Sequence, residues 1–368
     1  MPIKTAYSTK SAINEITEDI KSQFSGAVPK LLVYFASPRH DVKALSAAMS
    51  GLYPDAKIIG CTTAGEIVSG KMLKGSVVAM ALGSDIISDA AIEIVEKISS
   101  ENQVAKAFDA FSAYYGEPIR TMDSQKYVGL ILVDGLRGAE ENLMDTIGNL
   151  TDVIFIGGSA GDDVKFKATY IFAGGKTYTD AAVVALLKPA IKFDFIKSQS
   201  FRTTGKKLTA TKVIESKRMA VEFNDKPAAV AYAEALAITS DKVSEKFMTN
   251  PVGLMVGGDP YVRSPQQLQD SSIIFYCNIK NGMELEILQS GDIVKDTAKS
   301  LEEKKKSLKK ISGIINFNCI LRTLELDAKG QSDEYGKLFS DIPTVGFSTY
   351  GEEYIGHINQ TATMLLFY

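Results

Sequence analysis

Small hydroxyl, amide and carboxylate groups gather in three short stretches of this chain. Gly346-Phe347-Ser348-Thr349-Tyr350-Gly351-Glu352 lies near the C-terminus, and two relatives precede it, Gly60-Cys61-Thr62-Thr63-Ala64-Gly65-Glu66 and Gly157-Gly158-Ser159-Ala160-Gly161-Asp162. Each follows an apolar segment and ends in a carboxylate. Glycine lets a backbone turn tightly and a ligand approach closely, and Ser, Thr and turn amides supply compact donors and acceptors. The pattern predicts turns that form one wall of a small-molecule pocket. Thr62, Thr63, Ser159, Ser348 and Thr349 would bind carboxylate or phosphate oxygens, with Arg263 and Arg322 adding positive charge. Glu66, Asp162 and Glu352 would meet an ammonium group or cap the arginines. That inventory suits an amino acid or a similar small zwitterion or acid.

The same residues admit a rival chemistry. Cys319 is expected at a strand end before a helix, where helix-terminal amides and Arg322 would stabilise a thiolate. Glu352 or His357 would then serve as base in a cysteine-dependent enzyme acting on a small carboxylate or amide. Cys61 occupies an analogous turn. Against this, a strand-end cysteine commonly packs as a small hydrophobe. The chain lacks a Gly-x-Ser-x-Gly elbow, a Walker A loop and a Gly-x-Gly-x-x-Gly fingerprint, so neither that hydrolase mechanism nor nucleotide binding by those loops is expected. No cofactor motif is present. Two histidines and three separated cysteines offer no zinc spacing.

Positioning these groups requires strands that end at the turns. Ile13, Ile16, Ile20 and Phe24 recur at helical spacing and predict a helix over 12–24. A buried strand over 30–35, a helix on Val42, Leu45 and Met49, a strand over 57–61, the first turn and a strand over 76–82 follow. The order recurs with a strand over 127–133, a helix over 140–150, a strand over 153–156 and the second turn. Segments 169–172 and 181–187 then read as paired strands. It recurs again with a strand over 313–318, a helix from Ile320, a strand into the third turn and a last strand over 359–367. The expected fold is α/β, with repeated strand-helix-strand units forming mixed sheets in two associated domains, 1–190 and 191–368. Lys188-Pro189 marks the boundary. Arg39, Arg137 and Arg322 fall in the loops after the first strand of each unit, where open α/β sheets bind ligands. Between the second and third units, segments 271–277 and 283–288 read as a hairpin around Asn281-Gly282.

The 368 residues are 45% hydrophobic, enough for a real core, and carry a formal charge of −3. No basic tract suggests a nucleic-acid surface. The mixed charges of Leu301–Lys310 predict a solvated helix face. The start, Met1-Pro2-Ile3-Lys4, lacks the apolar stretch of a signal peptide, and no segment reads as a membrane span. A cytoplasmic protein is expected, bound to neither nucleic acid nor membrane, and its oligomeric state, homo-oligomer included, is left open.

The three turns, Asp225-Lys226-Pro227-Ala228, Val262-Arg263, Cys319 with Arg322, and Asn359-Gln360-Thr361 together resemble the FIST family of paired FIST N and FIST C domains. The resemblance runs from about Lys30 to the end. It implies a sensory, ligand-binding module of intracellular signal transduction, found in bacteria especially, with amino acids among the ligands proposed. The chain carries no kinase, cyclase or DNA-binding segment, so a separate signalling protein is the expected partner. A scaffold without a small ligand is the third class considered.

Overall fold

The computed structural model describes residues 2–308 and 310–368. Met1 and Lys309, the second inside the run expected as a solvated helix face, lie outside the described residues. Two compact units emerge, the first from Met1–Ser198, Ala298–His357 and Ala362–Tyr368, the second from Gln199–Thr297 and Ile358–Thr361. These units divide the chain differently from a cut at 190, because one is inserted within the other.

The first unit holds three repeats. The first comprises β1 (Lys4–Ser8), α1 (Ile13–Gln23), β2 (Leu31–Ala36), α2 (Val42–Leu52), β3 (Lys57–Thr62), β4 (Glu66–Val68), β5 (Lys71–Leu73) and β6 (Val77–Leu82). The second comprises β7 (Ile87–Glu96), α3 (Val104–Tyr115), β8 (Val128–Val133), α4 (Glu140–Leu150), β9 (Phe155–Ser159), β10 (Ile171–Ala173), β11 (Lys176–Tyr178) and β12 (Ala181–Pro189). The third opens with β13 (Phe193–Gln199) and is then interrupted by the second unit. That unit contains β14 (Phe201–Ile214), β15 (Met219–Phe223), β16 (Lys226–Pro227), α5 (Ala228–Leu236), α6 (Val243–Lys246), β17 (Val252–Val256), β18 (Asp259–Arg263), β19 (Pro265–Gln269), β20 (Ser272–Phe275) and β21 (Glu284–Ser290). The third repeat resumes with α7 (Ile293–Leu308), β22 (Gly313–Cys319), α8 (Ile320–Ala328), α9 (Ser332–Lys337), β23 (Thr344–Thr349), β24 (Glu352–Tyr354), β25 (His357–Ile358) and β26 (Thr361–Phe367).

Each repeat builds four strands of one sheet and lends a hairpin to another. The sheet orders are β1-β6-β2-β3-β10-β11, β7-β12-β8-β9-β24-β25 and β13-β26-β22-β23-β4-β5. The hairpin of the second repeat completes the first sheet, that of the third completes the second, and that of the first completes the third. The exchange therefore closes in a ring. In each sheet the strand pair joined by the crossover helix is parallel, as such a connection requires, and the exchanged hairpin adds antiparallel. The thrice-repeated α/β unit of the sequence is present. Segments 169–172 and 181–187 are not partners, however: β10 pairs with β3 and β11, and β12 with β7 and β8. Local pairing loses to the exchange.

Period-two alternation decides the layers. Leu31, Val33 and Phe35 of β2 face a core shared with Val128, Leu130 and Leu132 of β8 and Ile315 and Phe317 of β22. The opposite faces take the helices: Leu32, Tyr34 and Ala36 pack with Leu45 and Met49 of α2, and Ile131, Val133 and Phe155 pack with Leu143, Met144 and Ile147 of α4. Burying these apolar faces is the main stabilising term. A glycine sits at the same register of all three parallel pairs. A Cβ at Gly60, Gly157 or Gly346 would lie 2.0, 1.7 or 2.1 Å from the carbonyl oxygen of Tyr34, Ile131 or Asn316. Only glycine allows the strands that close.

In the second unit the fourteen-residue β14 pairs with both β15 and β21, around a core that includes Leu208, Phe223, Tyr232, Phe275 and Leu285. The hairpin expected around Asn281-Gly282 is not formed. β20 pairs with β15 and β19, while β21 pairs with β14 and β17. The Asn-Gly turn exists, with Gly282 at φ 82° and its amide on the Ala210 carbonyl, but the long β14 captures the strand that follows. Among the described residues, no helix is long and apolar enough to cross a membrane.

Candidate functional site

The three turns meet. Gly161 N–H donates to the Thr62 carbonyl (3.0 Å) and Asp163 N–H to that of Thr63 (3.1 Å). Ala64 N–H donates to Ser348 O (3.2 Å) and Ser348 N–H to Gly65 O (2.8 Å). Ser159 N–H donates to Gly351 O (2.8 Å) and Tyr350 N–H to Ser159 O (3.1 Å). Each turn is thus bonded to the other two, a direct result of the hairpin exchange. Thr62, Ser159 and Ser348 hold equivalent positions, opposite Ala36, Val133 and Asn318 on the neighbouring parallel strands. The expected turn residues Thr62, Thr63, Glu66, Ser159, Ser348, Thr349 and Glu352 come together here, with Asp162 in the adjoining loop, and all are buried.

Their side chains are engaged within the junction. Thr62 Oγ1 accepts from Tyr170 N–H at 3.0 Å. Thr63 Oγ1 donates to Glu66 Oε1, and Thr349 Oγ1 donates to Glu352 Oε1 at 2.5 Å, the same three-residue span in two repeats. Glu66 also accepts from Ser76 N–H (2.8 Å) and Ser76 Oγ (2.6 Å). Burial nevertheless raises the Glu66 carboxyl to about 7, against those three hydrogen bonds and helped by nearby Asp163. Register shows that Asp162 is not the third member of this set. Glu66 stands opposite Phe347 and Glu352 opposite Gly158, and the equivalent place opposite Cys61 belongs to Ile171. Asp162 lies in a longer loop and accepts from the amides of Phe166, Lys167 and Ala168 at 2.8, 2.5 and 3.0 Å. Its carboxyl titrates below the usual range: burial opposes this, and the Tyr350 hydroxyl and the three amides outweigh burial.

Beside the junction, under α8, lies a polar layer. Asn316 and Asn318 point to the helix side of β22, at positions held by Tyr34 and Ala36 in the first repeat and by Ile131 and Val133 in the second. Arg322 Nε donates to Asn318 Oδ1 at 2.9 Å, and its guanidinium lies 5.9 Å from the Tyr335 ring centre. Tyr335 OH donates to Asn318 Oδ1 (3.1 Å) and accepts from Asn316 Nδ2 (3.3 Å). Asn318 Nδ2 donates to Thr323 Oγ1 (3.0 Å), which lies 2.8 Å from Ser348 Oγ. Arg322 is only 1% exposed, and Asn316 Oδ1 is buried with no hydrogen-bond partner. Sequence reading found Arg322 and Ser348 but missed Asn316, Asn318, Thr323 and Tyr335. The signal was there: two asparagines alternating in an otherwise apolar strand, where asparagine is depleted.

The remaining expected residues sit elsewhere or are constrained. Arg263 belongs to the second unit, at the end of β18, and its buried Nε has no hydrogen-bond partner. Arg39 donates to the carbonyls of Thr9 and Lys10, and Arg137 pairs with Asp134 at 3.0 Å. Cys319 ends β22 and caps α8, buried. Burial drives the Cys61 thiol well above its ordinary value. His357 Nδ1 lies 3.2 Å from Glu353 Oε1, and Ser159 Oγ reaches both Glu353 (3.2 Å) and Glu140 (3.3 Å). Burial disfavours the imidazolium, yet Glu353, Glu140 and Glu141 together raise His357 to about 9. No group of three or more His, Cys, Asp or Glu among the described residues is placed to hold a metal ion.

Comparison with known proteins adds two findings. The FIST N domain matches residues 30–226 and the FIST C domain matches 228–354. The boundary between the matches falls inside the second unit, before α5, rather than at a unit boundary. An uncharacterized protein of Methanocaldococcus jannaschii is 24% identical over 313 residues, which cover 80% of this chain and 60% of that relative. The chain therefore spans less than two thirds of that relative's length.

Proposed function

Because the chain belongs to the FIST family, whose domains are sensory modules, we propose that it is an intracellular sensor of an amino acid or similar small zwitterion or acid. The ligand takes the polar layer of the third repeat, and a separate signalling protein reads the result. One observation carries this reading. Three repeats share a fold, and in the third the helix-facing positions that the others fill with Tyr34 and Ala36 or Ile131 and Val133 hold Asn316 and Asn318, joined to Arg322, Thr323 and Tyr335. Buried polar groups cost stability relative to an apolar layer unless their hydrogen bonds are satisfied, and Asn316 Oδ1 is left without one. The Arg322 guanidinium, with Nε on Asn318 Oδ1, is the cation of the layer and the charge that would attract a carboxylate. Asn316 Oδ1 is the acceptor for an ammonium group.

The layer is covered by α8 and α9, so a ligand enters only as they move, which couples occupancy to conformation. Gly330, at φ 67°, links the two helices. A Cβ on Gly336 of α9 would lie 2.9 Å from the Lys71 backbone in β5, so α9 rests directly on the hairpin lent by the first repeat. Displacing α9 displaces that hairpin. A cysteine-dependent activity gains no support from this geometry, since the thiol is buried and His357 is held by Glu353.

The test is a thermal-shift screen of the twenty amino acids and small organic acids on the purified chain. A ligand at roughly a hundred times its Kd stabilises by about 2.7 kcal/mol. Arg322→Met keeps the apolar stem and is expected to abolish the shift, and Asn316→Leu to select against amino acids while sparing simple acids. A full-sized shift in Arg322→Met removes the layer as the site.

A further inference from the structure

The connection after the second turn is out of proportion to its counterparts. Residues 63–65 link β3 to β4 and 350–351 link β23 to β24, whereas 160–170 link β9 to β10. The extra chain is held in a demanding conformation: Asp163, Val164 and Phe166 all have positive φ, at 55°, 61° and 52°. A β-branched residue there is a genuine outlier, and such strain persists only where its surroundings enforce it. They do so here through the three amides on Asp162, and through the Tyr350 hydroxyl, which accepts from Asp162 N–H (3.2 Å) and Val164 N–H (2.9 Å).

This enforced shape holds apolar side chains out in solvent. Val164 is 40% and Phe166 50% exposed, and Phe166 stacks on Tyr350 with ring centres 5.1 Å apart. Lys165 and Lys167 flank them, exposed. Ser37 Oγ donates to Asp163 Oδ2 at 3.1 Å, which brings the exit turn of β2, with exposed Arg39, beside the loop. The exit turn of β8 adjoins it too, since Gly135 is packed on Ala160 O and Tyr350 Cβ, and half-exposed Arg137 follows it. An aromatic centre with a cationic rim and a fixed backbone is the anatomy of a recognition patch.

We propose that this loop docks a separate protein through an acidic segment bearing an apolar anchor. The rim sets the charge of the partner, because Lys165 and Lys167 alternate with the apolar pair along the loop and Arg39 stands on an adjoining turn, while Asp163 lies 3.9 Å from Lys165 and Asp134 pairs with Arg137. The size of the apolar surface sets its class: two side chains on one rigid loop fit a pocket-filling contact, whereas interfacial membrane binding draws on an extended apolar face. The loop is rooted in the three-turn junction through Gly161, Asp163 and Tyr350, so it lies one hydrogen bond from the segments that the repeats exchange. This surface does not depend on where, or whether, a small ligand binds.

The experiment selects a displayed library of roughly 12-residue random peptides on the immobilised full chain, then measures the enriched sequences by fluorescence anisotropy. Enrichment of Asp and Glu around Phe, Leu or Ile is expected. Val164→Asn with Phe166→Asn removes the apolar surface yet keeps the backbone, since asparagine tolerates the left-handed region. It is expected to weaken binding at least about tenfold with a melting temperature no lower than that of the native chain. Lys165→Glu with Lys167→Glu is expected to lose acidic peptides while the apolar pair remains. Equal binding by the Asn variant overturns the proposal. So does cosedimentation with phosphatidylserine vesicles that depends on Phe166 in the absence of peptide selection, which assigns the loop to a membrane.

Discussion

Glu66 makes the junction a source of pH-dependent stability, and the size of the effect follows from its surroundings. The side chain is fully buried, and burial lifts its carboxyl from 4.5 to about 7 even though Thr63 and Ser76 donate three hydrogen bonds to it. The folded state therefore holds a proton that the unfolded chain releases. Stability tied to this group is fully present below pH 4.5 and is lost as the pH rises through about 7. At about 1.36 kcal/mol per pH unit, the loss is roughly 3 kcal/mol. Glu66→Gln cannot ionise and keeps an acceptor for Thr63. Urea unfolding of both proteins at half-unit steps from pH 4.5 to 8 isolates the effect as the difference between their stabilities. That difference is expected to fall by roughly 3 kcal/mol in favour of the variant as pH rises, then to flatten above pH 7. A flat difference across the range refutes the reasoning. A difference that rises with pH shows that the three hydrogen bonds outweigh burial.

Other outcomes follow from single contacts. Gly157→Ala forces a methyl to 1.7 Å from the Ile131 carbonyl oxygen and is expected to cost about 3 kcal/mol or more by urea melt, whereas Gly148→Ala, exposed on α4 with open space around it, should gain about 0.5–1 kcal/mol. His357→Gln is expected to remove a fall in stability between pH 6.5 and about 9, where the native chain loses its imidazolium contacts; the drop is roughly 3 kcal/mol, read from the same melts. Cys61 and Cys319, both buried, should react with a thiol reagent at pH 7 only at the rate of unfolding, and fast labelling of Cys319 in the native state restores the enzymatic reading.

What the sequence disclosed follows its periodicities. Strands such as Leu31–Ala36 and Val128–Val133 are continuous apolar runs bounded by turn residues, and glycine-hydroxyl-carboxylate turns mark their partners, so the threefold repeat was legible. The destination of each hairpin was not. β4 is three residues long and β10 another three, too short to carry a pattern that names a partner. Their pairing is decided by register across repeats, which local spacing does not encode. The Asn281-Gly282 turn failed for the same reason: its chemistry was right, but the strands beside it answered to β14. At the site, hydroxyls in turns were visible as polar residues in apolar surroundings. Asn316 and Asn318 were passed over because a polar residue inside a strand marks a solvent face as readily as a buried one until a helix is known to cover it.

The exchange of hairpins gives the ring a consequence that three separate sheets would lack. Glu66 is bonded to Thr63 of its own repeat but lies in the sheet of the third, opposite Phe347. Glu352 is bonded to Thr349 of its own repeat but lies in the sheet of the second, opposite Gly158. Each buried carboxylate therefore ties the end of one sheet to the interior of the next. A displacement of β23 cannot be absorbed within the third repeat, because β4 is hydrogen-bonded along it and Ser348 exchanges two backbone bonds with the first turn. Packed interiors switch between discrete arrangements rather than deform smoothly. A change under α8 has a short covalent and hydrogen-bonded route, through Ser348 and Gly65, to the first turn, and through Thr62 and Gly161 to the strained loop at 160–170. The repeat with the polar layer and the repeat with the exposed aromatic loop are thereby neighbours in the ring. A double-mutant cycle between Arg322→Met and Asp162→Asn, scored by amide exchange of residues 163–168, is expected to show coupling of at least about 0.5 kcal/mol, and strict additivity would leave the two regions as independent features of one scaffold.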